Sequence, residues 1–166
     1  QVSYANRLVK NIGSLTLGQD GFARGMLAAS PEVAGGTLLY ALEIMKNDGP
    51  WTRPDDYRKT NAVLRYSRGF VNNGWSVTAM SYRGRWNATD QVPLRVVEDG
   101  RIGRFDAVDD TDGGNARRYS LSGIWRQTDA DSASKLSAWV IRNQLDLYSN
   151  FTYFMNDPVN GDQFAQ

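Results

Sequence analysis

Neither cysteine nor histidine occurs among the 166 residues. The first absence excludes a disulfide framework and thiolate metal sites, and the second removes the commonest general base and metal ligand. Most familiar catalytic constellations are out of reach. Charge of one sign is also missing: 19 basic side chains against 18 acidic ones leave a formal charge of +1. That is too little for a global field that would gather nucleic acid or an anionic membrane. No stretch approaches about 18 consecutive apolar residues, which excludes a transmembrane helix. The N-terminal QVSYANRLVKNIG has no basic region leading into an apolar core, so it is not read as a secretory signal. A transmembrane β-barrel escapes these exclusions, because its segments are only about 10 residues long and alternate in polarity.

What the chain does hold is 16 glycines, 8 tyrosines and 5 tryptophans, a mixture that favours turns and aromatic-rich strands. The stretch Tyr57 to Trp86 shows the unit that the rest repeats. Thr60, Ala62, Leu64 and Tyr66 share one parity and Lys59, Asn61, Arg65 and Ser67 the other, with only Val63 breaking the pattern. Asn72-Asn73-Gly74 follows, a cluster tolerant of the positive φ that a tight hairpin uses. Trp75, Val77 and Ala79 then alternate with Ser76 and Thr78.

Read in order, the same grammar predicts strands over Asn11 to Leu17, Phe22 to Ser30, Thr37 to Asn47, Arg117 to Gln127 and Lys135 to Thr152. In the third, Leu38, Tyr40, Leu42 and Ile44 form one face, diluted on the other by Leu39 and Met45. A helix over Leu38 to Lys46 competes, because Leu38, Leu42 and Met45 also fit a helical stripe. Tyr119, Leu121 and Trp125 oppose Arg118, Ser120, Ser122 and Arg126, and Trp139, Ile141, Leu145 and Leu147 share a parity. Short turns at Pro31 to Gly36, Val71 to Gly74 and Thr128 to Ala133 alternate with long connections at Asn47 to Asp56, Asn87 to Ala116 and after Tyr153. Short on one edge and long on the other is the arrangement of an outer-membrane barrel. The expected fold is all-β, an antiparallel up-and-down meander of about seven strands forming a segment of a transmembrane β-barrel, in one incomplete domain over 1–166.

Alternation alone does not choose between lipid and a dry core. Tyr57, Tyr66, Trp75, Tyr82, Trp86, Tyr119, Trp125 and Trp139 fall mostly near strand ends, where interfacial girdles sit. They equally suit the core of a β-sandwich. Lys59, Asn61, Arg65, Ser120, Ser122 and Arg126 would line a wet lumen without buried partners.

Little chemistry stands out. Asp55-Asp56 and Glu98-Asp99 are adjacent acids in loops, more simply solvated than catalytic. Asp106, Asp109, Asp110, Asp112 and Asn115 resemble an oxygen-rich calcium loop, but their spacing departs from the EF-hand pattern, and a solvated loop with Asx-turns is the simpler reading. No metal or cofactor is expected. Trp51, Arg53, Asp55, Trp86, Asp90 and Gln91 sit in or beside the long loops, where aromatic and polar side chains recognise small molecules or simply pack the loops.

LTLGQDGFARG, LLYALEIMKNDGPWTRPDDYRKTNAVLRYS, MSYRGRWNATDQVP, TDGGNARRYSLSGIWR and LYSNFTYFMNDPVNGDQF together resemble the N-terminal part of the barrel of TonB-dependent outer-membrane receptors, from about Asn11 onward. The resemblance implies a place in the outer membrane of a Gram-negative bacterium. There the parent binds and imports a small ligand of the siderophore, cobalamin or saccharide class, energised by the inner-membrane TonB complex through a plug. It implies no catalytic residue. Such barrels have about 22 strands, so this chain, without a plug, is expected to be a fragment that does not transport alone. Its unpaired edges and apolar outer face predict self-association. The alternative is a soluble β-sandwich or lectin-like module using Trp51 and Trp86.

Overall fold

Period-2 alternation over long stretches becomes a single antiparallel sheet in the computed structural model, which describes residues 5–69 and 72–150 and the backbone of 164–165. The strands are β1 (Ile12–Leu17), β2 (Ala23–Ala29), β3 (Glu32–Val33), β4 (Gly36–Asn47), β5 (Tyr57–Arg68), β6 (Gly74–Asn87), β7 (Gly113–Thr128), β8 (Ala133–Ser149) and β9 (Phe164–Ala165). Seven of them have six residues or more. They pair in the order β1-β2-β4-β5-β6-β7-β8-β9, with the two-residue β3 beside β4, so the chain is an up-and-down meander. Among the described residues β1 and β9 lie at opposite edges and the sheet does not close into a barrel.

Several expectations need correction. The strand expected over Thr37 to Asn47 is present as β4, paired residue by residue with β5 and along part of its length with β2, and the competing helix over Leu38 to Lys46 does not form. The turn Pro31 to Gly36 contains β3, and Ala34 and Gly35 take its positive φ of 50° and 74°. In the described part of the β5–β6 hairpin Gly69 takes a positive φ of 68°, and Asn73 and Gly74 do not. Asn73 instead accepts a hydrogen bond from the Thr128 amide, 2.7 Å, tying this turn to the neighbouring one. The loop read over Asn87 to Ala116 is shorter, since β7 begins at Gly113, and it holds a helix α1 (Leu94–Glu98) opened by Pro93. Residues 151 and 152 of the last predicted strand, and the connection after Tyr153 apart from β9, lie outside the described residues.

Register fixes the two faces. Leu42, Ala62, Ser81 and Tyr119 stand in one cross-strand row, Tyr40, Leu64, Ala79, Leu121 and Val140 in the next, then Leu38, Tyr66, Val77, Gly123 and Ala138, then Arg68, Trp75, Trp125 and Leu136. The opposite face carries Ser67 and Ser76, then Leu39, Arg65, Thr78 and Ser122, then Ala41, Val63, Met80 and Ser120. Val63 therefore meets Ala41 and Met80, which explains the one break in the alternation of β5. The apolar parity of β8 falls on this polar face: Trp139 lies opposite Ser122 and Ile141 opposite Ser120.

Burial is distributed against the usual rule. Ser76 and Thr78 are 1% and 2% exposed, whereas Leu64 and Leu121 on the apolar face are each 50% exposed. The only buried apolar side chains among the described residues are Ala28, Ala29 and Leu39. No second layer covers the apolar face, so the chain has no sandwich core among the described residues.

Candidate functional site

The long connections gather at one edge and interlock. Asn87 donates its amide to the Asp55 carbonyl, 2.6 Å, and its side-chain amide to the Pro54 carbonyl, 2.9 Å. Thr52 donates its amide to the Phe105 carbonyl, 3.0 Å, so the β4–β5 loop is pinned to the β6–β7 loop. Trp51 packs its ring 6.1 Å from that of Phe105 and donates its indole N–H to Asp55 Oδ2, 3.1 Å. Arg53 reaches across to the Asp112 carbonyl, 3.2 Å, which also accepts the Ala88 amide at 3.0 Å.

Asp112 is the tie point. Its side chain is buried, 2% exposed, against the end of β8, where the wholly buried Asn150 donates to Asp109 Oδ2, 3.2 Å. Asp90, which accepts from Ser149 Oγ at 3.0 Å, completes the cluster. Burial pushes the Asp112 carboxyl up to about 6, reinforced by the charges of Asp109 and Asp90 and a hydrogen bond with Asp90, and opposed by the Asn150 amide. Burial also raises Asp55, although Trp51 and Arg53 work against it. Asp109 goes the other way: burial would raise it, but hydrogen bonds from Thr111 and Asn150 hold it below the ordinary value. Asp106 is lowered by the Thr52 hydroxyl and the Gly103 amide, and Asp56 by Arg58 and Arg85.

The pH dependence follows from the raised Asp112. Neutral Asp112 stabilises fully below its unfolded value of 3.8, and that contribution is lost as pH rises through about 6. Asp112→Asn keeps a donor for Asp90 and removes the buried charge. It is expected to raise stability at pH 7 by on the order of 2 kcal/mol and to flatten the profile between about pH 4 and 6, as read from urea midpoints across pH.

The residues singled out from the sequence divide. Trp51, Arg53 and Asp55 share one loop, and Arg53 and Asp90 converge on Asp112 from different connections. Trp86 stands apart on the polar face of β6, over Gly114 in the facing strand. Gln91 is exposed and makes no hydrogen bond among the described residues. The Asp-rich run splits as well: Asp106 and Asp109 each close a local turn, Asp110 is exposed, and Asn115 belongs to β7. Among the described residues no group of three or more acidic side chains is gathered to hold a metal ion.

A second polar cluster, absent from that selection, lies on the polar face of the sheet. Glu43 accepts from Arg24 at 2.6 Å, from Asn61 at 3.0 Å and from Lys59 at 3.1 Å. Beside it a cavity of about 530 Å³ is lined by Met26, Val63, Met80, Tyr82 and the exposed Arg118 among others. Two cations, Arg24 and Lys59, flank that carboxylate, and Arg118 enters the cavity from β7, an arrangement suited to hold a polar or anionic small molecule. The polar parity of β4 and β5 was the signal for it. Arg65, expected to face water without partners, is instead buried and donates to Thr78 Oγ1 at 2.6 Å and to Asn6 Oδ1 at 2.7 and 3.0 Å.

Geometry and burial together define a one-layer amphipathic antiparallel sheet with interlocked loops at one edge. Compared with family models, curated proteins and solved structures, the chain matches none.

Proposed function

We propose that this chain is a piece of the wall of an outer-membrane β-barrel of the TonB-dependent receptor class. In this reading the exposed apolar face meets lipid and the polar face with the Glu43 cluster lines the ligand path. The observation that carries the reading is the inverted burial, with Ser76 and Thr78 covered while Leu64 and Leu121 are open. In a water-soluble domain the large apolar side chains would occupy the covered face. The same sheet leaves the outer edge of β1, and that of β8 up to Leu147, unpaired among the described residues. Such edges require neighbouring strands, supplied in a complete barrel by the rest of the wall. Small-ligand uptake, coupling to the TonB complex through a plug and the absence of catalysis belong to this proposal on the strength of the sequence resemblance.

The reading predicts how the isolated chain behaves in sedimentation velocity. Without detergent it associates, through its edges or its apolar face; with detergent it becomes a discrete protein–detergent particle. A monodisperse monomer in plain buffer would contradict it.

A further inference from the structure

The apolar face is bordered differently at its two ends. Towards the short turns its margin is aromatic: Tyr66 packs 5.3 Å from Trp75, and Trp75 lies directly opposite Trp125. Towards the long loops the margin from β4 to β7 is cationic, and on β8 it continues with Gln144 and Asp146. Arg83 pairs in register with Arg117, and in the next row Arg58 pairs with Arg85, with Lys46 beside Arg58. All five side chains are exposed, and the four arginines share a groove of about 500 Å³ that Thr60 also lines.

Like charges directly opposite each other across a sheet destabilise it, so two such rows in succession need an explanation. Arg58 and Arg85 share Asp56, each at 2.9 Å. Arg83, Arg117 and Lys46 have no ion-pair or hydrogen-bond partner among the described residues. A guanidinium fork matches phosphate oxygens in two-point geometry, and two forks side by side suit an anion carrying more than one charge. The apolar rows begin one step further along the same strands, at Leu42, Ala62 and Tyr119. An occupant that satisfies both therefore has a phosphate group and hydrocarbon chains joined within a few ångströms.

We infer that the belt of Arg58, Arg83, Arg85 and Arg117 binds the phosphate headgroup of an acylated lipid whose chains lie along the adjoining apolar face. This rests on the membrane-wall reading above. It adds that the lipid is selected by headgroup and that selection occurs on the long-loop side only.

Flotation of the full chain with vesicles tests it, comparing phosphatidylcholine alone with phosphatidylcholine carrying phosphatidic acid at about one lipid in five. The chain floats with both and binds the phosphatidic acid vesicles more tightly. R83Q/R117Q relieves like-charge repulsion, so folding survives. It leaves binding to phosphatidylcholine unchanged and weakens binding to the phosphatidic acid vesicles roughly thirty-fold. R126Q/K135Q, which removes the same charge from the opposite face, leaves the preference intact. Equal binding to the two vesicles overturns this inference and spares the membrane reading; binding to neither overturns both. A preference that survives R83Q/R117Q, disappears equally in R126Q/K135Q, or is erased by millimolar inorganic phosphate also overturns it.

Discussion

Leu121→Arg is expected to destabilise the chain in a bilayer by about 2–4 kcal/mol, the cost of a cation near mid-membrane on the face proposed to meet lipid. Leu121 sits in the row of Tyr40, Leu64, Ala79 and Val140, between the aromatic and the cationic margins of the apolar face. The flanking substitutions Ser120→Arg and Ser122→Arg project to the other face, beside Met80 and Thr78, and are expected to cost less because that face is already polar. Denaturant unfolding from vesicles reads the three side by side. A flat response across 120, 121 and 122 would mean that the half-exposed leucine faces water.

Arg65→Ala is expected to cost about 3 kcal/mol or more. The guanidinium is 5% exposed and holds Thr78 in the adjacent strand and Asn6 in the segment that precedes β1. Hydrogen bonds to a charged donor contribute about 1.5–3 kcal/mol each, and truncation leaves the buried Thr78 hydroxyl without this donor. Arg65→Lys recovers only part, because one ammonium cannot reproduce a fork that reaches two partners in different directions. The segment before β1 is also held by the Leu8 amide on Ser30 Oγ, 2.9 Å, and by Arg7 with Glu32. Its amide exchange is therefore expected to accelerate without complete release. An unchanged unfolding midpoint together with unchanged exchange would show that Arg65 is not the anchor.

These two residues also mark what could be read from the sequence. Leu121 and its row follow from alternation, a local property of each strand, and the meander with short turns opposite long loops follows from the spacing of Gly, Asn and Asp clusters. Arg65 was legible as a polar-face residue but not as a buried one, because its partner Asn6 is 59 positions away. Asp112 was hidden for the same reason. The Asp-rich run drew attention, yet only contacts with Asp90, far back in the same connection, and with Arg53 and Asn150 from two other connections separate the buried Asp112 from the exposed Asp110.

The faces of β8 were ambiguous because both of its parities are apolar: Leu136, Ala138 and Val140 on one, Trp139 and Ile141 on the other. Register with β7 decided between them. The aromatic residues divide likewise. Tyr66, Trp75 and Trp125 lie towards the short turns of the apolar face and Tyr119 stands next to its cationic rows, while Tyr57, Tyr82, Trp86 and Trp139 belong to the polar face. Helix α1 escaped notice because five residues are too few to show a 3.6-residue period.

Nitroxide scanning of β7 tests the central claim most directly, and the absence of native cysteine allows each label to be placed singly. Labels at positions 118 to 125 of the vesicle-bound chain would be relaxed by oxygen, which concentrates in hydrocarbon, and by a water-soluble nickel chelate. The account predicts a two-residue period, with oxygen contact highest at 119, 121, 123 and 125 and nickel contact highest at 118, 120, 122 and 124. Equal access of the nickel chelate to both parities would contradict it.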